Sequence, residues 1–302
     1  MMNACKSNEI RTLNKANSEN LKSHIENIIR TPQFRNHENT ESLNLVAEFI
    51  QSQLRLYCDT TYEQAYTVNQ KVYKNIIGII GAEHKKTIII GAHYDVAGNQ
   101  QGADDNASGV LGLLELSRLI QQEKLPFKVE FVAYTLEEPP FFRSEKMGSY
   151  IHAKSLYDNK ADVVGMICLE MIGYYNDAPN SQKYPLKILR WFFGSKGDFI
   201  TIVRKWSGGR FANKISKILK KNQLIKTILF SGPAEKLGLD LSDHRNYWRF
   251  NYSAVMIGNT AFFRNPHYHE ATDTIDKLDF IRMTLLIQQI YVSIVDYCKN
   301  SK

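Results

Sequence analysis

The sequence predicts an α/β fold built on a mixed, mostly parallel central sheet. Nearly continuous apolar runs such as "KTIIIGAHYD" alternate along the chain with segments of helical periodicity. Runs of this kind are typical of strands that are buried on both faces. A strand–helix–strand order indicates crossover connections, which pair strands in parallel. Two earlier segments with polar–apolar alternation add antiparallel edge strands and make the sheet mixed.

The chain begins with two predicted helices and a predicted hairpin. Apolar residues recur at helical spacing over residues 17–31 and 41–56. Residues 61–68 and 71–81 alternate like strands, and Asn69-Gln70 forms the expected turn between them. The rest of the sequence predicts buried strands at residues 86–95, 128–138, 162–173 and 253–258, and helices at residues 108–122, 147–157 and 279–299.

Residues 174–199 are polar, contain proline and show no clear periodicity. This stretch is long for a connection inside a compact domain, and such stretches are commonly functional. We therefore expect an insertion or lid loop within one domain that spans residues 1–302.

Composition excludes several classes of protein. No apolar run approaches the roughly 18 residues of a membrane span, so no membrane partner is expected. The N-terminal residues contain no apolar signal segment. A cytoplasmic location is expected, and secretion of a trimmed chain stays open. The net charge is +7, but "KISKILKK" (214–221) reads as the solvated side of an amphipathic helix, so no nucleic-acid partner is expected. The cysteines, without a CxxC pair, are expected to be reduced structural thiols: Cys5, Cys58, Cys168 and Cys298.

Polar side chains follow the predicted buried strands at the points where the strands end. In an open α/β sheet, ligands bind beyond these carboxyl ends. Converging carboxylates repel one another unless cations lie between them. Imidazole and carboxylate donors without cysteine suit zinc or a related divalent ion. The residues concerned are His93, Asp95, Asp104, Asp105, Glu137, Glu138 and Glu170, followed much later by His267 and His269.

Six motifs in order, "GAHYD", "GADDNASG", "TLEEPPFF", "LEMIG", "SDH" and "YHEATDT", resemble those of metallopeptidase family 28. The family includes bacterial zinc aminopeptidases and relatives of glutamate carboxypeptidase II. The resemblance runs from about residue 21 to the C-terminus. It implies a three-layer α/β/α sandwich, the phosphorylase/hydrolase-like fold of zinc peptidases.

The resemblance also implies a site with two Zn²⁺ ions, for which Co²⁺ or Mn²⁺ are alternatives. The expected ligands are His93 and Glu170 for one ion, Glu138 and His269 for the other, and Asp105 as the bridge between them. Glu137 is expected to be the general base. Many family members have Asp where this chain has Glu170, which leaves the metal preference open. A cis peptide bond is expected after Asp105.

Supporting roles are less specific. Asp95 is expected to orient His93, and His269 is favoured over His267 as the ligand. Tyr268 is expected either to stabilise an oxyanion or to pack in the core. Asp243 and His244 are expected near the substrate or behind the metal ligands. Phe141, Phe142 and Trp248 are expected to wall a side-chain pocket or to pack in the core.

The implied activity is that of an aminopeptidase, a metallo-exopeptidase with peptide substrates. The alternatives are a single-zinc glutaminyl-peptide cyclotransferase of the same fold, and a carboxypeptidase that uses Arg143 to bind a carboxylate. A non-catalytic binding module and a hydrolase of non-peptide amides also remain. The sequence leaves the preferred residue and the oligomeric state undetermined.

Overall fold

A computed structural model describes residues 14–234 and 237–300, which form eight strands in one sheet. The strands are β1 (Thr60–Val68), β2 (Lys71–Ile80), β3 (Thr87–His93), β4 (Lys128–Tyr134), β5 (Val163–Glu170), β6 (Ile200–Lys205), β7 (Thr227–Gly232) and β8 (Ala254–Gly258). The helices are α1 (Ser18–Ile29), α2 (Thr40–Arg55), α3 (Gly109–Ile120), α4 (Gly148–Asp158), α5 (Leu189–Phe193), α6 (Gly209–Lys221), α7 (His244–Arg249) and α8 (Phe280–Lys299).

The strand order is β1-β2-β4-β3-β5-β8-β6-β7. Strands β4, β3, β5 and β8 pair in parallel, as do β6 and β7, whereas β1–β2, β2–β4 and β6–β8 are antiparallel. The predicted mixed sheet is therefore confirmed. Asn69 and Gln70 both have positive φ, as a two-residue hairpin turn requires.

Helices cover both faces of the sheet and complete the three layers. Helices α1, α2, α3, α6 and α8 pack on one face, against side chains such as Ile90 and Phe131. Helices α4 and α7 pack on the other face, against Ile89 and Val132. Side chains of neighbouring residues in a strand thus point into the hydrophobic cores on opposite faces of the sheet. This explains why the central strands are continuously apolar.

The structure contains elements that the sequence did not predict. Strands β6 and β7 are six residues each and lie at the far edge of the sheet, and the short helices α5 and α7 are also new. The strand predicted over residues 128–138 is too long, because β4 ends at Tyr134 and Leu136 has a φ of 59°. The chain therefore leaves the sheet before Glu137.

The predicted insertion carries α5 and folds back on itself through a bridge between Asn176 and Gly197. It is tied to the loop after β8, since the Lys183 N–H donates to the carbonyl of Phe263 at 2.7 Å.

Cys58, Cys168 and Cys298 are free thiols, whereas Cys5 lies outside the described residues. In the part of the chain that the structure describes, no helix is both long and apolar enough to cross a bilayer.

Candidate metal centre

The carboxyl ends of the parallel strands bring five predicted ligand side chains together. His93 ends β3, Glu170 ends β5, Glu138 follows β4, and Asp105 and His269 come from the loops after β3 and β8. His93, Asp105 and Glu170 form one group whose donor atoms all lie within 4.8 Å of one another. Asp105, Glu138 and His269 form a second group of the same kind. Asp105 belongs to both of these groups, and His93, Glu137 and Glu138 form a third.

The two carboxylate oxygens of Asp105 face different histidines. Its Oδ1 lies 3.4 Å from Nε2 of His93, and its Oδ2 lies 3.3 Å from Nε2 of His269. Glu170 and Glu138 then approach the same nitrogens, at 3.4 Å from His93 and 3.2 Å from His269 respectively. Each half of the site therefore offers one imidazole and two carboxylates, a donor set that zinc accepts.

Several buried polar atoms at this site lack hydrogen-bond partners. Their presence indicates that a cation would fit between them. Among the described residues, Oδ2 of Asp105, Oε1 of Glu138 and Nε2 of His269 are shielded from solvent and form no hydrogen bond. Buried polar atoms are normally satisfied, so each exception requires an explanation. Divalent cations between these atoms supply one, and the residues present therefore fit the expected metal.

The pKa shifts follow from the same crowding of charge. Burial, together with the charge of Asp105, raises the pKa of Glu138 to about 8. Burial also raises the pKa of Glu137 well above its usual range. Although burial disfavours the protonated imidazole, the carboxylates of Glu170 and Glu137 raise the pKa of His93, and those of Asp105 and Glu138 raise the pKa of His269 to about 10. The protein without cations thus favours protons at the positions that cations would occupy.

The loop that carries Asp105 is held by its backbone. Asp273 is fully buried, and its two oxygens accept the N–H groups of Asp104 and Asp105 at 2.9 and 3.0 Å. The Asp105-Asn106 peptide bond is cis, as the resemblance implied. Arg35, also buried, donates to the carbonyls of Tyr94, Gln101 and Gly102. The sequence alone gave no sign of the role of Arg35, because no motif surrounds it.

Asp104, the neighbour of Asp105, points the other way and joins separate segments of the chain. Its Oδ1 accepts the N–H of Gly173 at 2.8 Å, and its Oδ2 accepts side-chain amides from Asn259 and Asn265 at 2.8 Å each. The structure thus separates the adjacent aspartates, one facing the cluster and one holding the loops around it.

The two adjacent glutamates are positioned by Asp95. Its carboxylate accepts the N–H groups of Glu137 and Glu138 at 3.3 and 3.2 Å and lies 3.5 Å from Nδ1 of His93. Strand alternation does not separate the two glutamates, because β4 has already ended at Tyr134. Their environments differ nonetheless: Glu138 approaches His269, whereas Oε2 of Glu137 is 3.9 Å from Nε2 of His93.

Glu170 is one methylene longer than the Asp that many family members have at this position, and its carboxylate is held by a serine. The Ser242 hydroxyl donates to Oε2 of Glu170 at 2.5 Å, and both side chains are buried. This hydrogen bond orients the longer side chain toward His93. The sequence singled out the "SDH" motif for Asp243 and His244 and overlooked its serine.

The other predicted residues lie partly beside the cluster and partly away from it. His267 donates to or accepts from Thr272 at 2.8 Å and stays outside the cluster. Tyr268 stacks on His269, with ring centroids 3.8 Å apart, and lines the cavity described below. Asp243 and His244 are fully buried and do not line it. His244 contacts the carbonyl of Leu239 at 2.7 Å and packs edge-on against Trp248.

A cavity of about 200 Å³ opens beside the carboxylates. It lies over the strands β8, β6 and β7, on the face that α4 and α7 leave uncovered, and part of the predicted insertion forms its wall. Most of the lining is apolar, and Lys183 is the one Lys or Arg among the described lining residues. Phe142 lines the cavity, whereas Phe141 and Trp248 are buried in the core. Arg143 is bound to Asp240 at 2.9 Å and is not part of the lining.

Comparisons with known proteins agree with this geometry. Residues 75–290 match the model of peptidase family M28. A protein of Escherichia coli K12, YfbL, described as uncharacterized, is 39% identical over 95% of this chain and 89% of its own length. Leucine aminopeptidase 1 of Ajellomyces capsulatus is 26% identical over 69% of this chain, which spans about half (52%) of that protein. The crystal structure of the LapA aminopeptidase of Legionella pneumophila superposes with a TM-score of 0.74 at 19% identity, covering 94% of this chain and 72% of LapA.

Proposed function

Since this chain belongs to peptidase family M28 and is a metallo-exopeptidase, we propose that it is an aminopeptidase that removes large apolar residues from the N-terminus of peptides. The observation that carries the proposal is the apolar cavity that opens directly beside the clustered carboxylates and histidines. The scissile bond would lie at this cluster, and the side chain that precedes it would enter the cavity.

We propose two ions, most simply zinc, held by the two donor groups. His93 and Glu170 would hold one ion, Glu138 and His269 the other, and Asp105 would bridge them. When bound, such ions supply a Lewis acid for the carbonyl oxygen and lower the pKa of water. Asp95 would orient His93, as carboxylates behind metal-bound histidines commonly do.

Glu137 would be the general base. It lines the cavity and lies beside His93. Although Glu137 also forms a possible donor group with His93 and Glu138, the two proposed ions have their ligands without it. Its carboxylate would accept a proton from the attacking water as the bond between that oxygen and the carbonyl carbon forms. It would then deliver the proton to the amine nitrogen as the peptide bond breaks. Tyr268, which stacks on His269, would donate a hydrogen bond from its hydroxyl group to the developing oxyanion.

The charge of the lining favours a free amine over a free carboxylate in the substrate. Four carboxylates line the cavity, whereas Lys183 is the single Lys or Arg of its described lining. Arg143, the residue that a carboxypeptidase would use here, is occupied by Asp240. Peptides with a free amino end and an amidated carboxyl end should be cleaved, and N-acetylated peptides with a free carboxyl end should not. The opposite result would establish a carboxypeptidase.

The test of the catalytic assignment compares two adjacent glutamates of equal burial, each 5% exposed. Glu137→Gln should retain its metal content and lose about 100- to 10,000-fold in kcat, because a general base contributes on this order. Glu138→Gln, the matched control, should lose metal content as well as activity. Elemental analysis and hydrolysis of leucyl and phenylalanyl fluorogenic substrates give the two readouts.

Two outcomes would contradict the proposal. Full activity in Glu137→Gln would remove this residue from the mechanism. One tightly bound zinc per chain, together with cyclisation of N-terminal glutamine, would establish the single-zinc cyclotransferase instead.

A further inference from the structure

We propose that residues 183–196, the roof segment, bind the surface of an anionic lipid bilayer. This segment contains α5 and covers the apolar cavity. The inference concerns its outer side and does not depend on the proposed peptidase reaction.

The roof segment is apolar on both sides. On the inner side, Leu189 and Phe193, four residues apart on α5, line the cavity. On the outer side, Trp191 is 90% exposed and Phe192 is 75% exposed, and Leu186 and Ile188 are more than half exposed. A helix on the surface of a globular protein ordinarily has a polar outer face. The cavity explains the inner apolar residues, and no packing within the described chain explains the outer ones.

The polar residues of the segment are cations. Lys183, Lys187, Arg190 and Lys196 are all exposed, and the segment contains no Asp or Glu. Among the described residues, no carboxylate forms an ion pair with any of the four; Arg190 instead donates to the amide oxygen of Asn180. Exposed Trp, Phe, Leu and Ile interspersed with Lys and Arg are the composition of segments that lie in the headgroup region of a membrane.

The charge of the segment decides between a bilayer and a second copy of the chain. A two-fold dimer through the roof segment would bring two identical patches together. Three unpaired cations that do not line the cavity, Lys187, Arg190 and Lys196, would then face the same three of the other copy across an apolar contact, which desolvates like charges. Anionic headgroups neutralise the same cations while the aromatic rings enter the interface. Charge complementarity therefore favours an anionic lipid surface over a second copy of the chain as the partner of the roof segment.

The test measures binding of the full chain to vesicles without substrate. We expect the protein to sediment with vesicles of phosphatidylcholine and phosphatidylglycerol at least about tenfold more strongly than with phosphatidylcholine alone, because the cations require anionic lipid. The double variant Trp191→Ser/Phe192→Ser should weaken this binding at least about tenfold, since the apolar side chains that enter the interface are lost. The pair Lys187→Gln/Arg190→Gln should remove most of the preference for anionic lipid.

Trp206→Ser is the matched control. Trp206 is 71% exposed and follows the distal end of β6, away from the roof segment, so its loss should leave vesicle binding unchanged. All substituted residues are exposed, so the thermal unfolding midpoints should match that of the parent.

Equal binding to both vesicle types, no binding, or unchanged binding by the aromatic double variant would overturn the proposal. A dimer in light scattering that the double variant abolishes would establish the second copy as the partner. Peptide hydrolysis in solution is measured separately, so failure here leaves the proposed function untouched.

Discussion

Asp273→Ala tests whether the loop that carries Asp105 is positioned by its backbone. Asp273 is fully buried, and one oxygen accepts the N–H of Asp104 at 2.9 Å while the other accepts the N–H of Asp105 at 3.0 Å. Truncation to alanine leaves both N–H groups buried, and the methyl group that replaces the carboxylate cannot accept them.

The magnitude follows from the two lost acceptors. Burial and the charge of Asp104 raise the pKa of Asp273 to about 7. At a pH above this value its carboxylate is charged, and a hydrogen bond to a charged group contributes about 1.5–3 kcal/mol, so the two bonds together contribute about 3–6 kcal/mol. This is a large fraction of the roughly 5–15 kcal/mol by which folded domains are stable. Partners behind metal ligands typically change metal affinity by about 10- to 100-fold, so a weaker metal complex should accompany the loss of stability.

Urea unfolding in the presence of a chelator isolates the effect on the protein itself, and a zinc titration by competition measures the effect on metal affinity. Asp273→Asn keeps one acceptor oxygen and should show about half of the loss. Asp276→Ala, three residues away and exposed, should change the free energy of unfolding by less than about 0.5 kcal/mol. A loss below about 1 kcal/mol in Asp273→Ala, with an unchanged m-value, would refute the reasoning.

Two further predictions concern the core and the cavity. Burial, partly offset by the contact with the Leu239 carbonyl and by Asp240, lowers the pKa of His244 to about 4. The unfolded state binds a proton at this imidazole below about pH 6.5, whereas the folded state does so only below about pH 4. The free energy of unfolding should therefore fall by about 3 kcal/mol between pH 6.5 and 4 because of this residue. His244→Gln should flatten that pH dependence in urea unfolding with chelator, and an identical slope would contradict the prediction. Val203→Phe narrows the cavity from β6 and should lower kcat/KM for N-terminal phenylalanine at least about tenfold relative to alanine; an unchanged ratio would show that the substrate side chain binds elsewhere.

Much of the fold and of the candidate site could be predicted because local sequence patterns indicate both the buried strands and the polar residues at their ends. Continuous apolar runs identify β3, β4, β5 and β8, and the polar residues at their ends must meet at one edge of a parallel sheet. Strands β6 and β7 escaped prediction because they are only six residues long and lie at one end of the sheet, where β7 is the edge strand. One of their faces borders a cavity rather than a packed core, and Thr201 on that face interrupts the apolar signal.

The family resemblance implied different roles for neighbouring residues, but only the tertiary structure shows which groups each side chain contacts. Residue type alone does not distinguish Asp104 from Asp105, and the amides that hold Asp104 come from Asn259 and Asn265, more than 150 residues away. Similarly, Glu137 and Glu138 are distinguished by the proximity of His269 and by a chain that leaves the sheet at residue 135. Local periodicity reports which side chains are buried together, whereas the direction of a carboxylate depends on hydrogen-bond partners that only folding brings within 3 Å.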